Sequence, residues 1–136
     1  MLHKTLGTLM LMVLLIPAQA QSTPEAIIEQ FFKTYNQSPT QAIDYVFSTN
    51  EWMDQNQDAV ENVKTQLSGT LKLIGPYYGQ EKISERQAGE NYKQYTYMVK
   101  YDRQPLRFTF IFYRPTQDRW QVQNFRIDDG FDEELK

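Results

Sequence analysis

No cysteine occurs in the 136 residues, and the single histidine is His3. The first absence excludes disulfides and thiolate nucleophiles, so packing alone must hold the folded chain. His3 and Lys4 precede an apolar run, Leu6 to Ile16 (LGTLMLMVLLI), followed by the small-residue site Ala18-Gln19-Ala20. A basic start, a run of about eleven apolar residues and an Ala-x-Ala site together read as a secretory signal peptide. The run is shorter than the ~20 residues of a spanning helix, and no second one follows. We therefore expect residues 1–20 to direct export and be cleaved. Residues 21–136 would then be one soluble domain, periplasmic or secreted, with no membrane contact. With no cysteine after the apolar run, lipoprotein-type attachment is excluded.

Cleavage would also remove the only histidine. That excludes Ser-His-Asp and Cys-His systems, histidine proton shuttles and zinc held by imidazole or thiolate. Basic runs are missing as well. The chain has 14 basic and 17 acidic residues; without Lys4 the balance is 13 against 17, or −4. Scattered Lys and Arg cannot follow a phosphate track, so nucleic acid is not an expected partner. The acidic tail Asp128-Asp129-Gly130-Phe131-Asp132-Glu133-Glu134 lacks the alternating ligands of a calcium loop and reads as solvated. No metal and no cofactor are expected. Asn36-Gln37-Ser38 fits a glycosylation sequon, which the following Pro39 disfavours.

Against these absences stand clear helix signals. Ser22-Thr23-Pro24-Glu25 offers a capping hydroxyl, a first-turn proline and an acid at the positive end of the dipole. Ile27, Ile28, Phe31, Phe32 and Tyr35 follow with helical period. Ser38-Pro39-Thr40-Gln41 repeats the device and launches a second helix with Ala42, Ile43, Val46 and Phe47 inward, after a sharp turn at Asn36-Gln37. A third helix is predicted from Asp54, carrying Val60, Val63, Leu67, Leu71 and Ile74. Gly69 inside it would mark a close neighbour or a bend. Gly75-Pro76 ends it.

Beyond Gly79 the period changes to two. Four strands are predicted: Lys82 to Gln87, Tyr92 to Tyr101, Leu106 to Phe112 and Trp120 to Ile127. Their short polar links permit antiparallel neighbours and exclude helical crossovers. The fold class is therefore α+β: three N-terminal helices on a curved four-stranded antiparallel sheet. Leu106, Phe108, Phe110 and Phe112 should face the helices, with the stripe Val60 to Ile74 lying across them. The opposite face, with Arg107, Thr109, Ile111, Tyr113, Gln94, Thr96, Met98 and Lys100, is mixed and open to water or a second copy.

The order of helices 24–35, 39–50 and 54–74, the turn GPYYG at Gly75 to Gly79, and the last strand DRWQVQNFRI from Asp118 resemble the nuclear-transport-factor-two-like superfamily. The resemblance spans nearly all of residues 21–136. It implies a cone in which a curved sheet wraps the helices, often with a pocket at the wide end. Because that superfamily hosts isomerases, dehydratases, cyclases and transport adaptors, the resemblance does not select a function. Its enzymes typically place Asp, His and Tyr in the cone, and no such residue is carried over here.

Three functions are weighed. The first is a non-enzymatic binding domain for a small apolar or aromatic ligand between helices and sheet, lined by Tyr35, Trp52, Tyr77, Tyr78, Tyr97, Phe110 and Trp120. Tyrosine suits a wall that is apolar with polar tips, although it is also an ordinary strand former. Tyr77 and Tyr78 are either a clamp or the corner where helix meets sheet. The second is an interaction module, such as a homodimer, using Met98, Ile111, Tyr113 and Phe125. The third is an isomerase- or dehydratase-like enzyme using Asp44, Glu51, Asp102 or Asp128 beside Tyr97 or Tyr35. Spacing favours none of these acids, and no catalytic residue is assigned.

Overall fold

The computed structural model describes residues 22–136, so the signal peptide expected over residues 1–20 lies outside the described residues. Four helices precede four strands: α1 (Pro24–Gln37), α2 (Pro39–Ser48), α3 (Glu51–Asp54), α4 (Gln57–Ile74), β1 (Tyr77–Gln87), β2 (Tyr92–Tyr101), β3 (Leu106–Thr116) and β4 (Arg119–Asp128). A 3-10 turn, Phe131–Leu135, follows. The strands form one curved antiparallel sheet in the order β1-β2-β3-β4. The α+β class read from the sequence is thus the observed one.

Side-chain caps set the helix boundaries. Thr23 Oγ1 accepts from the Ala26 N–H at 3.1 Å, and Pro24 occupies the first turn. α1 runs two residues past Tyr35, absorbing the expected turn at Asn36-Gln37. Ser38 closes α1 by donating its N–H to the Thr34 carbonyl at 2.8 Å, and its hydroxyl opens α2. The third predicted helix starts late, and a short helix that was not expected precedes it. Asn50 caps α3 and Asn56 caps α4, each through its side-chain oxygen, so the long helix begins at Gln57 and not at Asp54. Asparagine is a strong cap and a poor helix interior, which makes two short-spaced asparagines a start signal each. Asn50 is buried, and its Nδ2 also donates to the Val122 carbonyl at 2.9 Å, tying α3 to β4.

The helix on the Phe-rich face is α1 and not α4. Phe31 packs on Phe108, Phe110 and Phe125 with ring centroids 6.1, 5.0 and 5.4 Å away. Phe32 adds Tyr97 at 5.1 Å. α4 instead lies beside α2 and forms one wall of a groove along β4, burying only Val60, Leu67 and Ile74. The stripe expected across the phenylalanines is therefore peripheral, because the denser aromatic helix takes the centre. Gly69 has open space around its Cβ position, so no close neighbour requires it.

At the end of α4, Gly75 has φ +87°, a conformation that favours glycine. The β2–β3 turn docks there: Asp102 and Arg103 donate backbone N–H groups to the Pro76 and Ile74 carbonyls at 3.1 and 3.0 Å. The chain enters β1 at Tyr77, five residues earlier than expected. Both edge strands are irregular. β1 shifts register between Tyr77 and Gly79 and again between Lys82 and Ser84; β4 shifts between Asn124 and Val122. Gln123 is the extra residue, so Val122 and Phe125 both face the core although their spacing is odd. Phe125, expected on the outer face, is accordingly buried against Phe31, Phe108 and Phe110.

Candidate functional site

The centre between helices and sheet is filled by rings, and the openings lie at its margins. A groove of about 650 Å³ runs between α1 and the start of β1. α1 presents Glu25, Glu29, Phe32 and Lys33 on one helical face; β1 presents Tyr77 and Tyr78, and β2 adds Tyr97. Two consecutive tyrosines reach the same groove because Tyr78 is the unpaired residue of the first β1 irregularity, where strict alternation breaks. Tyr77 is half-buried, stands edge-on to Tyr35 at 5.1 Å and donates its hydroxyl to Gln80. Tyr78 is 60% exposed and donates to Asp102 Oδ1 at 3.0 Å. The pair is thus both corner and groove wall: Tyr78 links β1 to the turn that closes α4, while both rings face the opening.

A second groove of about 530 Å³ lies at the other end, between α3, the start of α4 and the β3–β4 hairpin. It holds Trp52, which is 70% exposed, together with Phe47, Met53, Val60, Tyr113 and Pro115. The seven candidate ligand residues are therefore divided. Tyr77, Tyr78 and Tyr97 share the α1–β1 groove. Trp52 belongs to the distant one. Tyr35, Phe110 and Trp120 are buried in the core, Trp120 beneath Lys93 and Arg114 at 5.2 and 4.8 Å from its ring. Of the candidate interface residues, Met98 and Ile111 are half-buried on the outer face, Tyr113 is exposed beside Trp52, and Phe125 is internal.

Sequence reasoning missed Glu25, Glu29 and Phe32 as groove residues. Their spacing of four and three was a usable signal, since it places them on one helix face. Phe32 belongs to the core and to the groove wall alike.

The electrostatics make the tyrosines neutral donors. Burial pushes the Tyr35 hydroxyl up to about 12, the bond from Tyr101 opposing this and the nearby Tyr77 adding to it. Tyr101, in contact with the Tyr35 hydroxyl, is raised further, again chiefly by burial. Burial, then the Glu25 carboxylate that accepts from its hydroxyl at 2.5 Å, raises Tyr95. Burial also raises Tyr77 and Tyr97, while the bond to Asp102 raises Tyr78. Of these, Tyr77, Tyr78 and Tyr97 line the groove and can meet a ligand as neutral phenols, and none of the six is prepared to act as a phenolate base.

The acid-base candidates are dispersed. Asp44 pairs with Lys64 at 3.1 Å, Glu51 sits exposed in the first turn of α3, Asp102 accepts from Tyr78, and Asp128 is bidentate to Arg107. Among the described residues only Asp128 and Glu134 are carboxylates with reduced exposure, and both face Arg107. Comparison with known protein families, with curated proteins and with solved structures returns no match.

Proposed function

We propose that this chain is an exported binding domain that takes a flat apolar or aromatic small molecule in the α1–β1 groove. The reading rests on one observation: Tyr77, Tyr78, Tyr97 and Phe32 wall a single opening of about 650 Å³. Ligand sites are of this size and composition, mostly aromatic walls with few polar tips. Ring faces supply stacking and area, and the raised tyrosine hydroxyls remain donors at neutral pH. Glu25 and Glu29 at the rim favour a ligand that is neutral or carries a positive substituent over an anion. The order of helices and strands, which resembles the nuclear-transport-factor-two-like superfamily, agrees with a ligand at the margin between helices and sheet.

Amide chemical-shift mapping with indole, 2-naphthol and tyramine tests this reading. We expect saturable shifts at Tyr77 to Gln80, Phe32 and Tyr97, and Tyr78→Ala combined with Tyr97→Ala should weaken binding about tenfold, the loss of one or two aromatic contacts. Trp52→Ala should leave it unchanged. Shifts confined to the Trp52 groove, or none with any of the three probes, would overturn the assignment.

A further inference from the structure

The outer face of the sheet, expected to be mixed, gathers its polar residues in one place. Register aligns Ser84, Thr96, Thr109 and Arg126 in one row across all four strands. The adjacent rows contribute Arg86 and Gln94 on one side and Arg107 and Asp128 on the other. These residues line one partly open basin of about 380 Å³, with Glu133 and Glu134 of the C-terminal turn at its edge. Thr96 and Thr109 are 1% and 4% exposed, so its floor is made of neutral hydroxyl groups in a sheltered place. At ~4.8 Å per strand, the floor from β1 to β4 measures about 14 Å. That length suits a small molecule and not a polymer.

The three arginines are not equivalent. Arg107 is saturated: Asp128 takes it at 2.7 and 3.1 Å, Glu134 at 3.1 Å and Glu133 at 3.3 Å. Arg86 and Arg126 form no ion pair among the described residues. Two guanidinium groups over a hydroxyl floor are donors without an acceptor, and a guanidinium fork fits carboxylate or phosphate oxygens. The C-terminal turn that supplies Glu133 and Glu134 buries no residue of its own, and Leu135 is 84% exposed. It is therefore held on the sheet mainly by charge and hydrogen bonds, which an incoming anion can exchange.

We propose that this basin binds a small oxyanion-bearing molecule, a carboxylate or a phosphate, through Arg86 and Arg126 over Thr96 and Thr109, with Glu133 and Glu134 as competing internal anions. The site lies on the opposite side of the sheet from the tyrosine groove, so either assignment can fail without the other.

Inorganic phosphate and succinate, titrated separately at constant ionic strength against chloride, distinguish the two sources. Amide shifts at Ser84, Thr96, Thr109 and Arg126 should saturate with one or both ions. Arg86→Gln with Arg126→Gln should weaken binding at least about tenfold, as expected for lost charge-assisted bonds, while thermal unfolding stays cooperative. Glu133→Gln with Glu134→Gln should have the opposite sign and tighten binding several-fold. A response to phosphate alone assigns the phosphate source, and to succinate alone the carboxylate source. Non-saturating shifts, or saturation untouched by the arginine pair, would overturn the site; unchanged affinity in the glutamine pair would overturn the competing role of the tail.

Discussion

Phe108 and Arg107 are neighbours in β3, yet Phe108 meets Phe31, Phe32, Tyr35 and Phe125 with no exposure while Arg107 is held by three carboxylates on the far side. The alternation of one strand thus separates two kinds of adhesion. A buried aromatic ring contributes about 1.5–3 kcal/mol through area removed from water. A partly exposed ion pair contributes about 0–1 kcal/mol, because solvent screens it and ordering the side chains costs entropy. The inner face should therefore set global stability. The outer face should set local order and binding.

The sharpest way to break this division is Phe31→Ala. Phe31 is fully buried and touches rings from both helix and sheet, so its truncation should cost about 3–5 kcal/mol, read as a lower urea midpoint. The outer-face control, Thr109→Val, should change the midpoint by less than about 1 kcal/mol. Equal losses at the two positions would mean that both faces carry the fold.

Next in size is an alkaline effect confined to the inner face. Tyr35 has an ordinary value of 10.0 that folding raises to about 12, so the neutral hydroxyl is favoured in the folded state. Its contribution is fully present below pH 10 and is lost as pH rises toward 12. The loss should amount to about 2–3 kcal/mol, with Tyr101 adding a loss of the same sign. Denaturant unfolding at a series of pH values between 9 and 12 should show this fall, and Tyr35→Phe should flatten part of it. A flat profile in the native chain would contradict burial of these hydroxyls.

Asn50 tests the seam between helix and sheet. It caps α3 through Oδ1 to the Trp52 N–H at 3.0 Å and reaches the Val122 carbonyl through Nδ2. Asn50→Ala removes a cap and leaves a buried carbonyl short of a donor, a loss of about 1–3 kcal/mol in thermal or urea unfolding. Asn50→Asp should restore the cap and not the bond to β4, so its stability should fall between the two.

Much of the inner face was legible because its causes are local. Thr23 and Ser38 announce helix starts by their own hydroxyls, and the alternation from Leu106 to Phe112 names its buried side directly. The four-strand antiparallel sheet followed from link length. What escaped depends on partners distant in the chain. The choice of α1 over α4 for the central position is a competition between two apolar stripes for one surface. The reversal at Gln123 left a trace, two polar residues between Val122 and Phe125, that reads as noise until β3 supplies a register. The arginine basin is the extreme case: Arg86, Arg107 and Arg126 lie on three strands and converge only through pairing. Of the tyrosine groove, Tyr77, Tyr78 and Tyr97 were legible as residue types; their separation from Tyr35, Phe110 and Trp120 was not, since tyrosine and phenylalanine serve core and pocket alike.

The smallest effect is expected where the outer face meets the C-terminal turn. The Arg107 guanidinium, followed by the Gly130 N–H and Arg126, holds the Asp128 carboxylate below its ordinary value, against the opposing effect of burial. A carboxylate lowered in the folded state contributes above its ordinary value of 3.8 and loses that contribution as pH falls through the lower folded value. Lowering the pH from 7 to 3 should therefore reduce the amide protection factors, referred to the intrinsic exchange rate at each pH, across Gly130 to Leu135 severalfold, while Phe108 and Phe110 remain protected. Because the turn buries no side chain, its release should shift the global unfolding midpoint only slightly. Simultaneous loss of protection in the turn and at Phe108 would show that the two faces unfold as one unit, and the contrast between ring packing and ion pairing would no longer describe this sheet.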